Sequence, residues 1–170
     1  MRRPLLATVL CALALVPADG SGGATRPVVA WVVDGDTLTL TSGERIRLLQ
    51  VDSPEVEQGE CYAAAARGAL LRLAPVGSRI TLQTDPALDR VDRYGRLLRY
   101  VRRGGVHVNL VLVRRGAAAP YFYRGEEGRY AGRLLGAARV ARERRVGLWR
   151  ASPQPRLDPY RQLDTGYCGR

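Results

Sequence analysis

The stretch WVVDGDTLTL, residues 31–40, places two acidic residues on either side of a glycine, between two segments of β-strand composition. Asp34 and Gly35 form a common hairpin-turn pair, but a turn alone does not require a second acid, Asp36, at the start of the next strand. With turn residues between them, three β-rich segments follow one another closely along the chain: residues 27–33, 37–41 and 45–51. This spacing predicts a β-meander.

Helices and further strands are predicted after the meander. Residues 61–74 are rich in Ala, Leu and Arg and contain no Pro or β-branched residue, which predicts a helix. Residues 108–113 fit a strand or a helix, and the Arg-Arg-Gly sequence that follows favours a short helix. A periodic apolar face predicts a helix over about 126–145, although three glycines weaken its first half. Strand patterns recur at residues 78–84 and 96–101.

These elements predict the fold class and one folded domain. Five short strands with about three helices indicate an α+β fold, a five-stranded β-barrel of the OB type with added helices. A chain of 170 residues has room for one domain with a substantial core. We place this domain at residues 27–150, after a linker at 19–26 that is rich in Gly and Ser, and before a C-terminal tail at 151–170.

The first 18 residues have the pattern of a secretory signal peptide. Arg2 and Arg3 precede an apolar run that ends in Val-Pro-Ala, a small-residue cleavage pattern. The run falls short of the roughly 20 apolar residues that span a membrane. We therefore expect a secreted protein whose mature chain has no stable membrane span; a buried N-terminal helix or an uncleaved anchor is the alternative.

The charge and the cysteines add two expectations. The chain carries 27 basic and 16 acidic residues, and every basic residue is arginine. Codon bias could explain the absence of lysine but not the excess of positive charge, so a polyanionic partner is expected. After cleavage two cysteines remain, Cys61 and Cys168, and an even count in an exported chain predicts one disulfide that tethers the tail. Two free thiols are the alternative.

Two further stretches contain candidate metal-binding and phosphate-binding residues. In IRLLQVDSPE, residues 46–55, Asp52 closes a strand, and pairing of the strands would let it face the same end of the sheet as Asp36. Neighbouring carboxylates repel each other unless a cation such as Ca²⁺ lies between them, although turn and cap roles explain each acid alone. In DRYGRLLRY, residues 92–100, Arg96 could join Arg47 in binding one phosphate, although each alone is more often a solvated charge.

Taken in order, the motifs DGDT, IRLLQVDSPE, DRYGR, YFY and GLW resemble those of the staphylococcal nuclease (thermonuclease) family over about residues 28–149. The resemblance implies an OB barrel with added helices. It also implies Ca²⁺-dependent hydrolysis of phosphodiester bonds in DNA and RNA, with single-stranded or frayed substrates favoured, by a protein that we expect to be a monomer.

The resemblance assigns a role to each matching residue. Asp36 and Asp52 match the metal-binding carboxylates, Ser53 offers its backbone carbonyl to the metal, and Asp34 matches an acid that reaches the ion through water. Glu55 matches a glutamate beside the attacking water, as general base or as a group that orients the water. Phosphate-binding arginines correspond to Arg47 and Arg96, which leaves the single histidine, His107, as a surface or capping residue.

The residues that resemble the substrate-binding set are Arg93, Tyr94, Tyr121 and Tyr123. Tyrosine rings stack on bases of any sequence, which suits a non-specific nuclease; alone, the YFY triplet would indicate a core strand. Gln50, the acidic pair after the YFY triplet and the cysteine-bearing tail depart from the family pattern. The sequence thus predicts a secreted, sugar-non-specific nuclease that leaves 3′-phosphate ends; the alternatives are a non-catalytic OB-fold nucleic-acid-binding module and an adhesin that binds anionic glycans.

Overall fold

The computed structural model describes residues 26–168, so the predicted signal peptide and nearly all of the predicted linker lie outside the described residues. The described chain contains three α-helices, α1 (Ala63–Leu73), α2 (Val108–Arg114) and α3 (Ala131–Glu143). Its strands are β1 (Val29–Val32), β2 (Thr37–Leu40), β3 (Arg45–Leu48), β4 (Val51–Asp52), β5 (Thr81–Gln83), β6 (Leu97–Arg103), β7 (Val106–His107) and β8 (Ala119–Pro120). Two 3₁₀ turns cover Tyr123–Gly125 and Gly147–Arg150. Within this range no helix combines the length and apolarity needed to cross a membrane.

The larger sheet is mixed and has the strand order β1-β2-β3-β6-β5, with β7 paired to β6. Strands β1 to β3 form the predicted meander, β3 and β6 run parallel, and the other pairs are antiparallel. An isolated bridge between Val28 and Arg79 connects the chain next to β1 with the chain next to β5, the two ends of this order. The α+β fold is therefore confirmed.

The third predicted strand, at residues 45–51, is divided in the structure. β3 ends at Leu48. Gln50 has a φ of 60°, which lies in the left-handed region that residues other than glycine rarely adopt. After this break Val51 and Asp52 leave the first sheet and pair with β8 as a separate two-stranded sheet. The break therefore places Asp52 in a second sheet, while its side chain still contacts Arg47 of β3.

Burial explains how the helices cover the sheet. The main core joins inward side chains of β1, β2, β3 and β6 to apolar residues of all three helices. Its fully buried members include Leu38, Ile46, Leu70, Leu112 and Leu134. A second cluster of Ala119, Ala141, Leu148, Trp149 and Leu163 brings the C-terminal tail onto the domain.

The third helix begins five residues later than its predicted start at about residue 126. The carboxylate of Asp85 accepts the N–H of Arg129 at 2.8 Å, which holds the preceding segment in a non-helical path. A Cβ on Gly128 would lie 2.6 Å from that carboxylate and 2.8 Å from the Tyr100 hydroxyl. The segment around Gly128 therefore packs on Tyr100 without regular secondary structure. The periodicity of apolar residues does not predict this.

His107 is buried and caps α2. Its Nδ1 accepts the N–H of Leu110 at 3.4 Å, which fits the predicted capping role and not the surface role. The ring packs against Tyr100 and Tyr130. Burial, followed by the charges of Arg102 and Arg133, lowers its pKa from 6.5 to about 4.

The lowered pKa of His107 predicts acid destabilisation. Between pH 6.5 and 4 the unfolded chain binds this proton and the folded chain does not, so stability present above pH 6.5 is lost as the pH falls toward 4. We expect this histidine to account for about 2 kcal/mol of the loss, allowing for partial solvent screening. Chemical denaturation at pH 7 and pH 4.5 measures it: His107→Asn, which keeps a capping acceptor, should lose less stability than the wild type, and an equal loss would refute the assignment.

Candidate active site

Strand register brings Asp36 beside Arg47. Asp36 directly precedes β2, and its carbonyl accepts the N–H of Leu48 on β3 at 2.8 Å. Thr37, the first residue of β2, pairs with Arg47 in the ladder. Pairing of two strands that are adjacent in the sequence is thus enough to place an acid next to an arginine.

Arg47 bridges two buried carboxylates. Its Nη1 lies 2.9 Å from Asp36 Oδ2 and its Nη2 lies 2.6 Å from Asp52 Oδ1. Nη1 also donates to the carbonyl of Val51 at 2.7 Å. Asp36 is 0% exposed, Asp52 4% and Arg47 9%, so the three charges face one another largely out of water. The structure therefore brings Asp36 and Asp52 together through the guanidinium of Arg47, although Asp52 lies in the second sheet and not at the end of the meander sheet as predicted.

The contacts of Asp36 explain the acid at the start of β2. Its Oδ2 accepts the N–H of Ser53 at 2.7 Å, and its Oδ1 accepts the hydroxyl of Thr37 at 3.0 Å. Asp34 has the local role, because its Oδ1 accepts the N–H of Asp36 at 3.1 Å and stabilises the bend. The second acid thus joins the meander to the segment that carries Ser53.

Acidic groups outnumber basic groups in this cluster, and burial together with their mutual repulsion shifts the pKa values of Asp36 and Glu55. Burial raises the pKa of Asp36 well above its usual value, the charge of Arg47 opposes this, and neighbouring acids add to it. Burial acts to lower the pKa of Arg47, but the net shift is upward because Asp36 and Asp52 surround it. Burial and the charge of Asp34 raise the pKa of Glu55 to about 7.

The donor set of the cluster fits a hard divalent cation. Four carboxylates interact with the single guanidinium of Arg47, and these carboxylates belong to Asp34, Asp36, Asp52 and Glu55. Within residues 26–168 no three His, Cys, Asp or Glu side chains converge as a ready metal site, so a cation here would take backbone carbonyl and water oxygens as well. The buried hydroxyl of Ser53 has no hydrogen-bond partner within the described chain. Oxygen donors and uncompensated negative charge suit Ca²⁺.

Gly35 is required here by space and not by its backbone angles, because its φ is not left-handed. A Cβ at this position would lie 2.7 Å from the Cβ of Ser53 and 2.8 Å from the Cβ of Ala66. The glycine therefore allows α1 and the Ser53 segment to pack against the bend between the two acids.

Gly35→Ala is expected to destabilise the protein by about 1–3 kcal/mol, because the added methyl overpacks this contact. The matched control is Gly132→Ala on α3, where a Cβ meets open space. That change should stabilise by roughly 0.5–1 kcal/mol through helix propensity. Urea denaturation compares the two, and a Gly35→Ala protein as stable as the wild type would contradict the packing argument.

A cavity of about 440 Å³ opens beside the cluster. Six predicted phosphate- or substrate-binding residues line it: Arg47, Arg93, Tyr94, Arg96, Tyr121 and Tyr123. Arg47 is the member shared by the cavity and the carboxylate cluster. The structure therefore gathers residues from β3, the 92–96 turn and the 121–123 segment around one opening.

The 92–96 turn presents a tyrosine between two arginines. Arg93 and Arg96 place their guanidinium carbons 4.7 Å and 5.3 Å from the centroid of the Tyr94 ring, which is 66% exposed. The Nε of Arg96 donates to Asp92 Oδ2 at 2.6 Å, which fixes the guanidinium plane. Asp92 Oδ1 also accepts the N–H groups of Tyr94 and Arg96. Asp92 thus holds the turn that presents these side chains.

The YFY triplet combines a core ring with two outward rings. Phe122 is fully buried, whereas Tyr121 and Tyr123 line the cavity with ring centroids 6.5 Å apart. Arg124, which the sequence analysis did not select, lies over the Tyr123 ring at 5.2 Å and also lines the cavity. The alternative that the triplet is a core strand is therefore wrong: Phe122 belongs to the core, but none of the three residues lies in a strand.

The departures from the family pattern are accommodated at one side of the cavity. The Gln50 side chain donates to the carbonyl of Glu126 at 3.1 Å and accepts the Tyr100 hydroxyl at 2.9 Å. Glu127 accepts the hydroxyl of Tyr160, a residue of the tail, at 2.8 Å. Gln50 therefore supports the irregular segment before α3, and one of the two acids binds the tail.

The tail reaches the site, which the sequence analysis did not predict. Cys61 and Cys168 form a disulfide, so the predicted pairing is confirmed and the alternative of two free thiols is not. The N–H of Leu163 donates to Asp52 Oδ2 at 2.8 Å, and Gln162 lines the cavity. The position of Cys168 indicates a tethered tail, but no sequence signal identifies Leu163.

Comparison with known sequences gives consistent matches. The sequence model of a family described as Staphylococcal nuclease homologue matches residues 45–151. The chain is 34% identical over 121 residues to Endonuclease YhcR of Bacillus subtilis (strain 168), covering 62% of this chain and 10% of the relative. It is 28% identical over 123 residues to the SPbeta prophage-derived endonuclease YokF of the same strain, covering 69% and 41%.

An uncharacterised protein of Bacillus anthracis is 29% identical over 127 residues, which cover 71% of this chain and 59% of the relative. The chain thus spans less than two thirds of the length of each of these three relatives.

Proposed function

Because the chain belongs to the staphylococcal nuclease homologue family, we propose that it is a secreted, Ca²⁺-dependent nuclease that hydrolyses phosphodiester bonds in DNA and RNA. The observation that carries the proposal is the buried pair of Asp36 and Asp52 bridged by Arg47, at the edge of a cavity lined by arginines and tyrosines. This arrangement provides an anion-binding opening beside a cation-binding cluster.

In this proposal Asp36, Asp52 and the backbone carbonyl of Ser53 hold the cation, and Asp34 interacts with it through water. Bound Ca²⁺ supplies positive charge that neutralises the phosphate oxygens as the reaction proceeds. Asp34 already fixes the backbone N–H of Asp36, so it supports the ligand whether or not it contacts water.

Glu55 is assigned to the attacking water. The charges of Asp34, Arg47 and Asp52 act on the pKa of its carboxyl group, which supports this role, and its backbone N–H is held by the carboxylate of Glu60 at 2.7 Å. The carboxylate accepts a proton from water, or orients the water, as the water oxygen bonds to phosphorus. The bond from phosphorus to the 5′ oxygen breaks, a proton from solvent completes the 5′ hydroxyl, and the phosphate stays on the 3′ end.

Arg47 and Arg96 are assigned to the phosphate. Arg47 is held by the Val51 carbonyl and Arg96 by Asp92, so each guanidinium is oriented before substrate binds. Charge that grows on the phosphate oxygens is stabilised by groups that need little reorganisation. With these groups the mechanism needs no histidine. The only histidine, His107, caps α2.

Base binding is assigned to the tyrosines and Arg93. Tyr94 and Tyr123 are exposed at the cavity, where a base can stack, and stacking contributes roughly 1–3 kcal/mol per base without sequence preference. Unpaired bases are available for stacking, so single-stranded or frayed substrates are favoured by a protein that we propose acts as a monomer. The disulfide supports export to an oxidising compartment.

The test is cleavage of single-stranded DNA and RNA oligonucleotides by the purified protein in Ca²⁺ and in chelator. We expect cleavage of both in Ca²⁺ only, with new 5′-hydroxyl ends that a polynucleotide kinase labels without prior phosphatase treatment. Arg139→Gln, which changes an exposed arginine of α3, is the control for general charge loss. Tight binding without cleavage would replace the nuclease by a nucleic-acid-binding module, and binding of anionic glycans alone would indicate the adhesin.

A further inference from the structure

The C-terminal tail crosses the domain between the cavity and α1. The carbonyl of Pro159 accepts the N–H of Phe122 at 2.6 Å, next to the tyrosines of the cavity. Gln162 then forms part of the cavity lining. The tail therefore contributes Gln162 to the lining of the opening, while residues of β3 and the 92–96 turn line other parts of it.

Leu163 fixes the tail to a proposed metal ligand. Its backbone N–H donates to Asp52 Oδ2 at 2.8 Å, and Asp52 Oδ1 is bound to Arg47. The Leu163 side chain is buried in the cluster that contains Ala119 and Trp149. Asp52 is thus oriented by a residue 111 positions later in the chain.

The end of the tail is bound to the loop that carries Glu55. Beyond the disulfide, the Cys61 N–H donates to Gly166 O at 2.8 Å, and the Cys168 N–H donates to Gly59 O at 3.0 Å. Glu60, between these anchors, accepts the N–H of Glu55 at 2.7 Å. The same disulfide-linked unit therefore contacts the loop of Glu55 and, through Leu163, the carboxylate of Asp52.

We propose that residues 162–168 form a strap that positions Asp52, with Leu163 as the positioning residue and the Cys61–Cys168 disulfide as the link that keeps the strap in place. The inference rests on the proposed function, since Asp52 is there a ligand of Ca²⁺. Groups that hydrogen-bond to a metal-binding carboxylate fix its orientation, and their loss typically weakens metal binding about 10–100-fold. Oxidation of the two cysteines thereby completes the site.

The direction of the effect follows from the geometry. Apart from Leu163, residues 162–168 are exposed or half-buried, so once the disulfide is opened this segment is expected to detach before the core of the domain unfolds. Its release removes a donor from Asp52 and Gln162 from the cavity lining, while Arg47 and the arginines of the 92–96 turn stay in place. Reduction therefore weakens Ca²⁺ binding. A dithiol reductant supplies two electrons and two protons, which convert the S–S bond into two thiols, and the dithiol becomes a cyclic disulfide.

The test is the dissociation constant for Ca²⁺, measured by calorimetry without substrate. We compare the wild type with Leu163→Pro, which lacks the N–H, and with Leu163→Met, which keeps the N–H and nearly the volume of the buried side chain. The third variant is the double change Cys61→Ser and Cys168→Ser, and the wild type is also measured after dithiothreitol treatment. We expect roughly tenfold weaker binding for Leu163→Pro, the double variant and the reduced protein. Leu163→Met should lie within about threefold of the wild type, a difference well below the effect of a lost supporting group.

The outcomes separate the strap from the proposed function. Wild-type protein that binds no Ca²⁺ would overturn the metal assignment and the strap with it. Wild type that binds Ca²⁺ with the same affinity as Leu163→Pro, the double variant and the reduced protein would overturn the strap alone. Tighter binding after reduction would also overturn it, because the tail would then obstruct the site. If circular dichroism shows that Leu163→Pro does not fold, the Ca²⁺ affinities of the double variant and of the reduced wild type test the strap instead.

Discussion

Replacement of Glu55 by Gln is expected to slow cleavage by about 10²–10⁴-fold, the range that a positioned acid-base group contributes. The amide keeps the size of the side chain but cannot take a proton from water. Since Glu55 is not among the proposed metal ligands, Ca²⁺ affinity and oligonucleotide affinity should change much less than the rate. Single-turnover cleavage at saturating Ca²⁺, with binding measured separately, distinguishes the chemical step from binding.

The control for Glu55→Gln is Glu44→Gln, because Glu44 is an exposed acid in the turn between β2 and β3. The control removes the same charge away from the cluster and should leave the rate within about twofold, far from the loss of an acid-base group. A decrease of less than tenfold for Glu55→Gln would mean that the water is activated without this carboxylate. Equal losses in both variants would instead indicate a general charge effect.

Arg47→Gln is expected to lower the free energy of unfolding by about 3–5 kcal/mol in chelator, because it leaves buried Asp36 and Asp52 without their shared counter-charge. Saturating Ca²⁺ should restore part of this stability by binding between the two carboxylates. Cleavage should stay strongly reduced even with Ca²⁺ present, because the phosphate would lose one of the two guanidinium groups proposed to bind it. Denaturant unfolding with and without Ca²⁺ measures the stability changes.

Arg45→Gln is the matched control for Arg47→Gln, since Arg45 lies two residues earlier on β3 and is exposed. Its replacement should change stability by no more than about 0.5 kcal/mol, the usual range for surface positions. If Arg47→Gln were as stable as Arg45→Gln in chelator, the bridge between the carboxylates would not be a stabilising element of the apo protein. If Ca²⁺ stabilised the wild type but not Arg47→Gln, the carboxylates would need the arginine to bind the ion.

Most of the correct predictions came from patterns within short stretches of the sequence. The meander follows from short strands separated by turn pairs, and its register places Asp36 beside Arg47 through contacts between adjacent strands. Helices α1 and α2 follow from composition and from a glycine stop. The sequence predicted that Asp52 closes a strand, but it predicted one strand over residues 45–51 and not the left-handed break at Gln50 that makes Val51 and Asp52 a separate strand.

The features that were missed depend on long-range contacts without a sequence pattern. Every residue other than proline has a backbone N–H, so nothing in the sequence marks Leu163 as the donor to Asp52. The late start of α3 arises because Asp85, far away in sequence, accepts the N–H of Arg129. The even number of cysteines predicted the disulfide that holds the tail, but it did not predict the contacts that the tail makes with the site.

The most direct test of a Ca²⁺ nuclease centred on Asp36 is the rate of single-stranded DNA cleavage as a function of free Ca²⁺, for the wild type and Asp36→Asn. Asp36→Asn keeps the shape of the side chain but removes its charge, and the carboxylate is the hard oxygen ligand that Ca²⁺ prefers. We expect wild-type cleavage that saturates with Ca²⁺ and stops in chelator. For Asp36→Asn, half-maximal cleavage should require at least about tenfold more Ca²⁺, as for loss of a group at a metal site. Cleavage that persists in chelator, or an identical Ca²⁺ dependence in both proteins, would contradict a metal site at Asp36.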